Sequence, residues 1–227
     1  MAAGGDDSTA ARQALGTLCE AYWYPLYAFV RRRGATPDDA RDLTQAFFTS
    51  LLARRSFDDL TPERGRLRAF LLASLKHFLA NEAARARAQK RGGGLNVAPL
   101  VTDADEAEGH YQREPVESST PETLYERRWA LTVIERVLEE LRGRWKADGR
   151  EREFDALKEC LLGQSLQGGY GAVADDLGTT PAAVKTAVHR LRRRFHDGLR
   201  RHIAETVADP AEIDDEIRYL IAALGGV

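Results

Sequence analysis

Apolar residues in this chain recur at the spacing of an α-helix and nowhere alternate as strand residues do. Val184, Val188, Leu191 and Phe195 stand at i, i+4, i+7 and i+11 and line one face of a helix. The same period runs through Leu15, Leu18, Tyr22, Leu26 and Phe29, through Ala40, Leu43, Phe47, Leu51 and Leu52, and through Leu131, Ile134, Leu138 and Leu141. This pattern predicts an all-α fold.

Helix punctuation divides the chain. The first stretch ends near Gly34, and Thr36-Pro37 offers an N-cap followed by a first-turn proline. A polar loop over Ser56–Gly65 precedes a long helix from Arg66 to about Lys90, which Gly92-Gly93-Gly94 stops. Residues 93–122 are rich in Gly, Pro, Ser, Thr and acids, the composition of a flexible linker. Helical patterning resumes at Thr123, then again over Phe154–Leu161, Tyr170–Leu177 and Ala182 to about Ile203. The expected organisation is a tail at 1–11, a helical domain at 12–92, an acidic linker at 93–122, a second helical domain at 123–203 and an acidic amphipathic extension at 204–227.

The net charge of -2 hides an uneven distribution. Basic residues crowd into Arg64–Arg91 and Lys185–Arg201, acidic ones into Asp103–Glu122 and Asp209–Glu216. Basic blocks of this kind suit phosphate neutralisation. Cys19 and Cys160 form no CxxC pair, so a reduced, cytoplasmic setting is expected. The acidic start, Met1–Ala10, does not read as a secretory signal, and no apolar run reaches the roughly 20 residues of a membrane span. His189, His196 and His202 lack the i, i+4 spacing that converges on a metal. Neither a phosphate-cradling loop nor a nucleophile motif is recognisable, so the expectation is a non-enzyme without cofactors or metal.

The most informative segment is Tyr170–Leu199. Tyr170, Val173, Ala174 and Leu177 suit the inner face of a short helix, Gly178 a left-handed turn, and Thr179-Thr180-Pro181 the start of a longer helix. Short helix, glycine turn and longer helix form the grammar of a helix-turn-helix. Lys185, Thr186, His189 and Arg190 fall off the apolar stripe near the second helix's N-terminus, where a recognition helix meets base edges. Arg192, Arg193, Arg194, Arg200 and Arg201 suit grips on the DNA backbone. An amphipathic helix with a solvated basic face is the competing reading.

Gly168-Gly169-Tyr170, Val173 through Thr180, and Val184-Lys185-Thr186 together resemble region 4 of the extracytoplasmic-function sigma factors, subunits that guide bacterial RNA polymerase to promoters. Ala187 departs from the arginine common there. Asp39 through Phe47 is similar to the acidic polymerase-binding stretch of region 2, with Arg41 replacing a common acid, and Arg66–Arg91 resembles the promoter-melting helix.

The resemblance implies two small helical domains joined by the acidic linker, with bacterial core RNA polymerase and promoter DNA as partners. It implies polymerase binding through Asp39, Arg41, Asp42 and Gln45. Contact with the -10 element falls to Phe57, Arg64, Arg66, Lys76, His77, Asn81 and Arg85, with Phe70 and Phe78 either stacking on bases or filling the core. Contact with the -35 element falls to Lys185, Thr186, His189, Arg190, Arg192 and Arg193. A fully extended linker spans on the order of 100 Å, against roughly 70 Å for two duplex turns.

An inhibitory partner or a regulatory kinase also fits, since Thr44 falls within the polymerase-binding stretch, as does a plain helix threonine. The extension, with Ile213, Ile217, Leu220 and Leu224 in a stripe, reads either as a competitor docking on the basic C-terminal domain or as core completion. The runner-up function is a stand-alone helix-turn-helix regulator acting as an operator-bound dimer, followed by a protein-interaction module that does not bind DNA.

Overall fold

The computed structural model describes residues 21–53, 66–88, 104–113, 120–161 and 169–225. Among them the chain is helical, with no strand. In order these are α1 over 21–32, α2 (Pro37–Ala53), α3 (Leu67–Ala88), α4 (Ala104–Gln112), α5 (Pro121–Ala147), α6 (Glu151–Lys158), α7 (Gly169–Leu177), α8 (Pro181–Ala204), a 3₁₀ turn (Pro210–Glu212) and α9 (Ile213–Gly225). No helix among the described residues is long and apolar enough to cross a membrane.

The chain divides into two compact units, residues 1–132 with 206–227, and residues 133–205. This differs from the division drawn from composition. The start of α5 belongs to the first unit, and so does the C-terminal extension from Thr206 onward.

The first unit is built around aromatic residues. Tyr22, Leu26, Tyr27 and Phe29 of α1, Phe47 and Phe48 of α2, Leu71 and Leu75 of α3, and Tyr125 and Trp129 of α5 are buried. Each such side chain contributes roughly 1.5–3 kcal/mol on burial. Trp129 Nε1 donates to Tyr22 Oη at 3.1 Å, and Tyr125 Oη donates to the Arg68 carbonyl at 2.9 Å. Trp129, Tyr22 and Tyr125 thus satisfy their polar ends within the core. Ile213, Ile217 and Leu220 of α9 complete it at helical spacing.

The stretch expected to be a flexible linker contains α4. Glu108 of α4 accepts from Arg31 Nη2 at 2.8 Å and from Tyr27 Oη at 2.5 Å, and Tyr111 lies under the Arg31 guanidinium. The Arg31 hydrogen bond, the largest influence, holds the Glu108 carboxyl below its usual range.

In the second unit, Val137, Leu141 and Trp145 of α5 meet a core with Phe154 and Leu157 of α6, Ala174 of α7, and Val184, Val188, Leu191 and Leu199 of α8. Gly198 stands where a Cβ would meet Val137 Cγ1 at 2.6 Å, so only glycine permits the observed approach of α8 to α5. The sole sequence signal was a glycine inside a helical pattern.

Candidate nucleic-acid interface

The α7–α8 connection follows from local chemistry. Gly178 adopts φ +62°, and α7 closes with Gly178 N–H donating to the Asp175 carbonyl and Thr179 N–H to the Ala174 carbonyl, at 3.3 and 2.8 Å. Thr180 then caps α8, its side chain accepting from Ala183 N–H at 3.2 Å with Pro181 in the first turn. Arg152 of α6 donates to the Asp176 carbonyl and carboxylate at 3.0 and 2.8 Å, fastening the end of α7. A cleft of about 550 Å³ opens beside this turn, with Arg150, Arg152, Thr179 and Arg190 on its walls.

Burying Val184, Val188 and Leu191 turns the opposite face of α8 outward. Lys185, Thr186, His189, Arg190 and Arg193 are all exposed there, and the charged ones make no ion pair among the described residues. Thr186 returns its hydroxyl to the Ala182 carbonyl at 3.0 Å. Phe195, placed on the apolar stripe by spacing, is only half-buried.

Arg192 departs from the expected DNA-facing set. Its Nη2 donates to the Cys160 carbonyl at 2.9 Å, so it ties α8 to the end of α6. Cys160 itself is buried, which pushes its thiol up and away from reactivity.

In the first unit, Thr36 and Asp39 cap α2 reciprocally. Thr36 Oγ1 accepts from Asp39 N–H at 3.2 Å, and its hydroxyl donates to Asp39 Oδ2 at 2.7 Å. Arg41 bridges Asp38 and Asp42 at 3.2 and 3.4 Å. Asp39, Arg41, Asp42 and Gln45 therefore lie within the first turns of one helix, Asp39 and Asp42 exposed and Arg41 and Gln45 half-buried.

Thr44 is different: it is 0% exposed, and its hydroxyl donates to the Ala40 carbonyl at 2.7 Å. Of the two readings of Thr44, its burial fits the plain helix threonine and not a surface open to a kinase, because Ala40, Thr44, Phe47, Phe48 and Leu51 form the buried stripe of α2. Leu43, expected inside, is half-exposed.

On α3 the described basic candidates differ in setting. His77, Asn81 and Arg85 are exposed, Arg85 pairing with Glu82 at 2.6 Å. Lys76 pairs with Glu122 of α5 at 2.7 Å, and that hydrogen bond holds the Glu122 carboxyl low. Arg66 pairs with Glu216 of α9 at 2.9 Å. Phe78 meets Phe47 edge-on at 5.8 Å, a packing contact, and Phe70 is half-buried. Phe57 and Arg64 lie outside the described residues.

One central residue escaped the sequence reading. Arg68 is buried among Glu216, Glu126, Trp129 and Tyr219, donating to both Glu126 oxygens at 2.9 Å. Burial works against its charge, but the hydrogen bond to Glu216 and the nearby carboxylates outweigh that and raise its affinity for the proton. No local signal marks such a residue, because its partners come from α5 and α9.

Among the described residues no cluster of His, Cys, Asp or Glu is placed to hold a metal. Neither a family model, a curated protein nor a solved structure matches this chain.

Proposed function

We propose that this chain is a sigma-type transcription initiation factor, which binds bacterial core RNA polymerase and directs it to promoters. The single observation that carries the reading is the outward face of α8: Lys185, Thr186, His189, Arg190 and Arg193, presented beyond a glycine turn and a capped helix start. Such a helix suits the major groove, its first turns reading bases and its arginines gripping phosphates. In this reading α7 and α8 act as region 4 on the -35 element.

The first unit then acts as region 2. The start of α2, with Asp39, Arg41, Asp42 and Gln45, meets the polymerase. Lys76, His77, Asn81 and Arg85 of α3 receive the opened -10 strand, whose phosphates need cationic partners. A stand-alone operator binder has no use for this second basic helix or for a polymerase-facing α2.

The deciding experiment mixes purified protein with bacterial core RNA polymerase and a promoter library, then sequences the transcripts. A stable complex and transcripts sharing upstream elements are expected. Absence of a complex between folded components would overturn the proposal.

A further inference from the structure

We propose that α9, together with the first turns of α5, is an intramolecular acidic cover, its carboxylates occupying the basic start of α3 until a nucleic-acid strand displaces them. The inference deepens the reading above and rests on it for the role of α3. The charged residues on the outward face of α8 make no ion pair among the described residues, whereas three cations, Arg66 just before α3 and Arg68 and Lys76 in its first half, each hold a carboxylate from elsewhere in the unit. Arg66 holds Glu216, Arg68 holds Glu216 and Glu126, and Lys76 holds Glu122.

The chemistry of those partners matches that of DNA. A carboxylate presents paired anionic oxygens to a guanidinium as a phosphate does. Glu216 sits at the centre, 1% exposed, on a helix whose remaining buried positions are Ile213, Ile217 and Leu220. Apolar residues alone would dock α9 at least as well, since a buried ion pair is seldom more stabilising than a well-packed hydrophobic contact. An anion at this position instead makes docking competitive with a polyanion for the same arginines. Tyr219 stacks over Arg68 at 3.7 Å and shares its release.

The test uses the full-length protein and a labelled single-stranded DNA oligonucleotide. Glu216→Ala frees Arg66 and half of the Arg68 contacts, while Arg68 keeps both hydrogen bonds to Glu126. The variant is expected to speed hydrogen exchange in α9 and to tighten the oligonucleotide by about fivefold or more. Its log K against log salt should steepen by about 1.4, for two added phosphate contacts on a single strand. Faster exchange in α9 with unchanged affinity and slope would overturn the proposal.

If Glu216→Ala loses its helical signal, Glu122→Gln decides alone, because that ion pair is exposed: about twofold tighter binding supports the cover, and no change rejects it. Core RNA polymerase is assayed in parallel with wild type and variants. Failure of all of them to bind it removes the sigma reading, while the oligonucleotide comparison still judges α9.

Discussion

Arg68 and Glu216 are 148 residues apart in the chain and meet in the core of the first unit, both nearly inaccessible to water. Arg68 is the hub of that contact: it also holds Glu126 and lies against the rings of Trp129 and Tyr219. Removing the hub is therefore costlier than removing any one carboxylate.

Arg68→Ala should destabilise the protein by about 3 kcal/mol, because it leaves the half-buried Glu126 without its arginine and the buried Glu216 with Arg66 alone. Urea unfolding followed by circular dichroism measures this. The triple variant Arg68→Met, Glu126→Gln, Glu216→Leu should recover most of the loss. If the triple variant is no more stable than Arg68→Ala alone, the cost does not come from stranded charge.

Gly198→Ala opposes two effects. Alanine favours the helix by about 1 kcal/mol, but its Cβ would meet Val137 Cγ1 at 2.6 Å. Valine is stiff at χ1, so overpacking of about 1–3 kcal/mol wins. Gly198→Ala should lower the melting temperature, and adding Val137→Ala should restore part of it. An increase in the single variant would mean the helices move apart at little cost.

Arg190 and Arg192 are two residues apart, yet their environments predict opposite results. Arg190→Ala should weaken duplex DNA binding and reduce the salt slope by about 0.9, the loss of one phosphate contact. Arg192→Ala should leave the slope unchanged and lower stability by about 1–2 kcal/mol, because Arg192 donates to the Cys160 carbonyl. Equal salt slopes for the two variants would contradict this assignment.

Glu108 ties α4 to α1 through Arg31 and Tyr27, and its carboxyl is held below the ordinary range in the folded protein. Its stabilisation is therefore complete above the unfolded carboxyl pKa of about 4.3 and is lost as pH falls through the lower folded value. Wild type should exceed Glu108→Gln by roughly 2 kcal/mol near neutrality, the scale of hydrogen bonds to a charged group. The gap should close as the pH drops below 4. A gap that persists undiminished in strong acid would show that the carboxylate charge is not the source.

Local rules made much of this molecule legible. The start of α2 at Thr36-Pro37, the Gly178 turn and the capped start of α8 all follow from residues within a few positions of one another. Helical periodicity placed Val184, Val188 and Leu191 inside and Lys185, His189 and Arg190 outside. The burial of Thr44 was within reach too, since it lies four residues from both Ala40 and Phe48 on one helix face.

What the sequence alone determined is where helices begin, end and turn, and which faces are apolar, because those properties depend on neighbours within a turn or two. Tertiary structure decided which charges are open and which are engaged: Arg66 and Arg68 read like any other basic residues until α9 returns to cover them, and Arg192 reads like Arg190 until it meets Cys160. Composition marked the segment around Glu108 as a loose tether, and only the Arg31 and Tyr27 contacts make it a docked helix. The physical reason is range. Backbone conformation is fixed by contacts of a few residues, whereas the fate of a charge depends on what the fold brings beside it from anywhere in the chain.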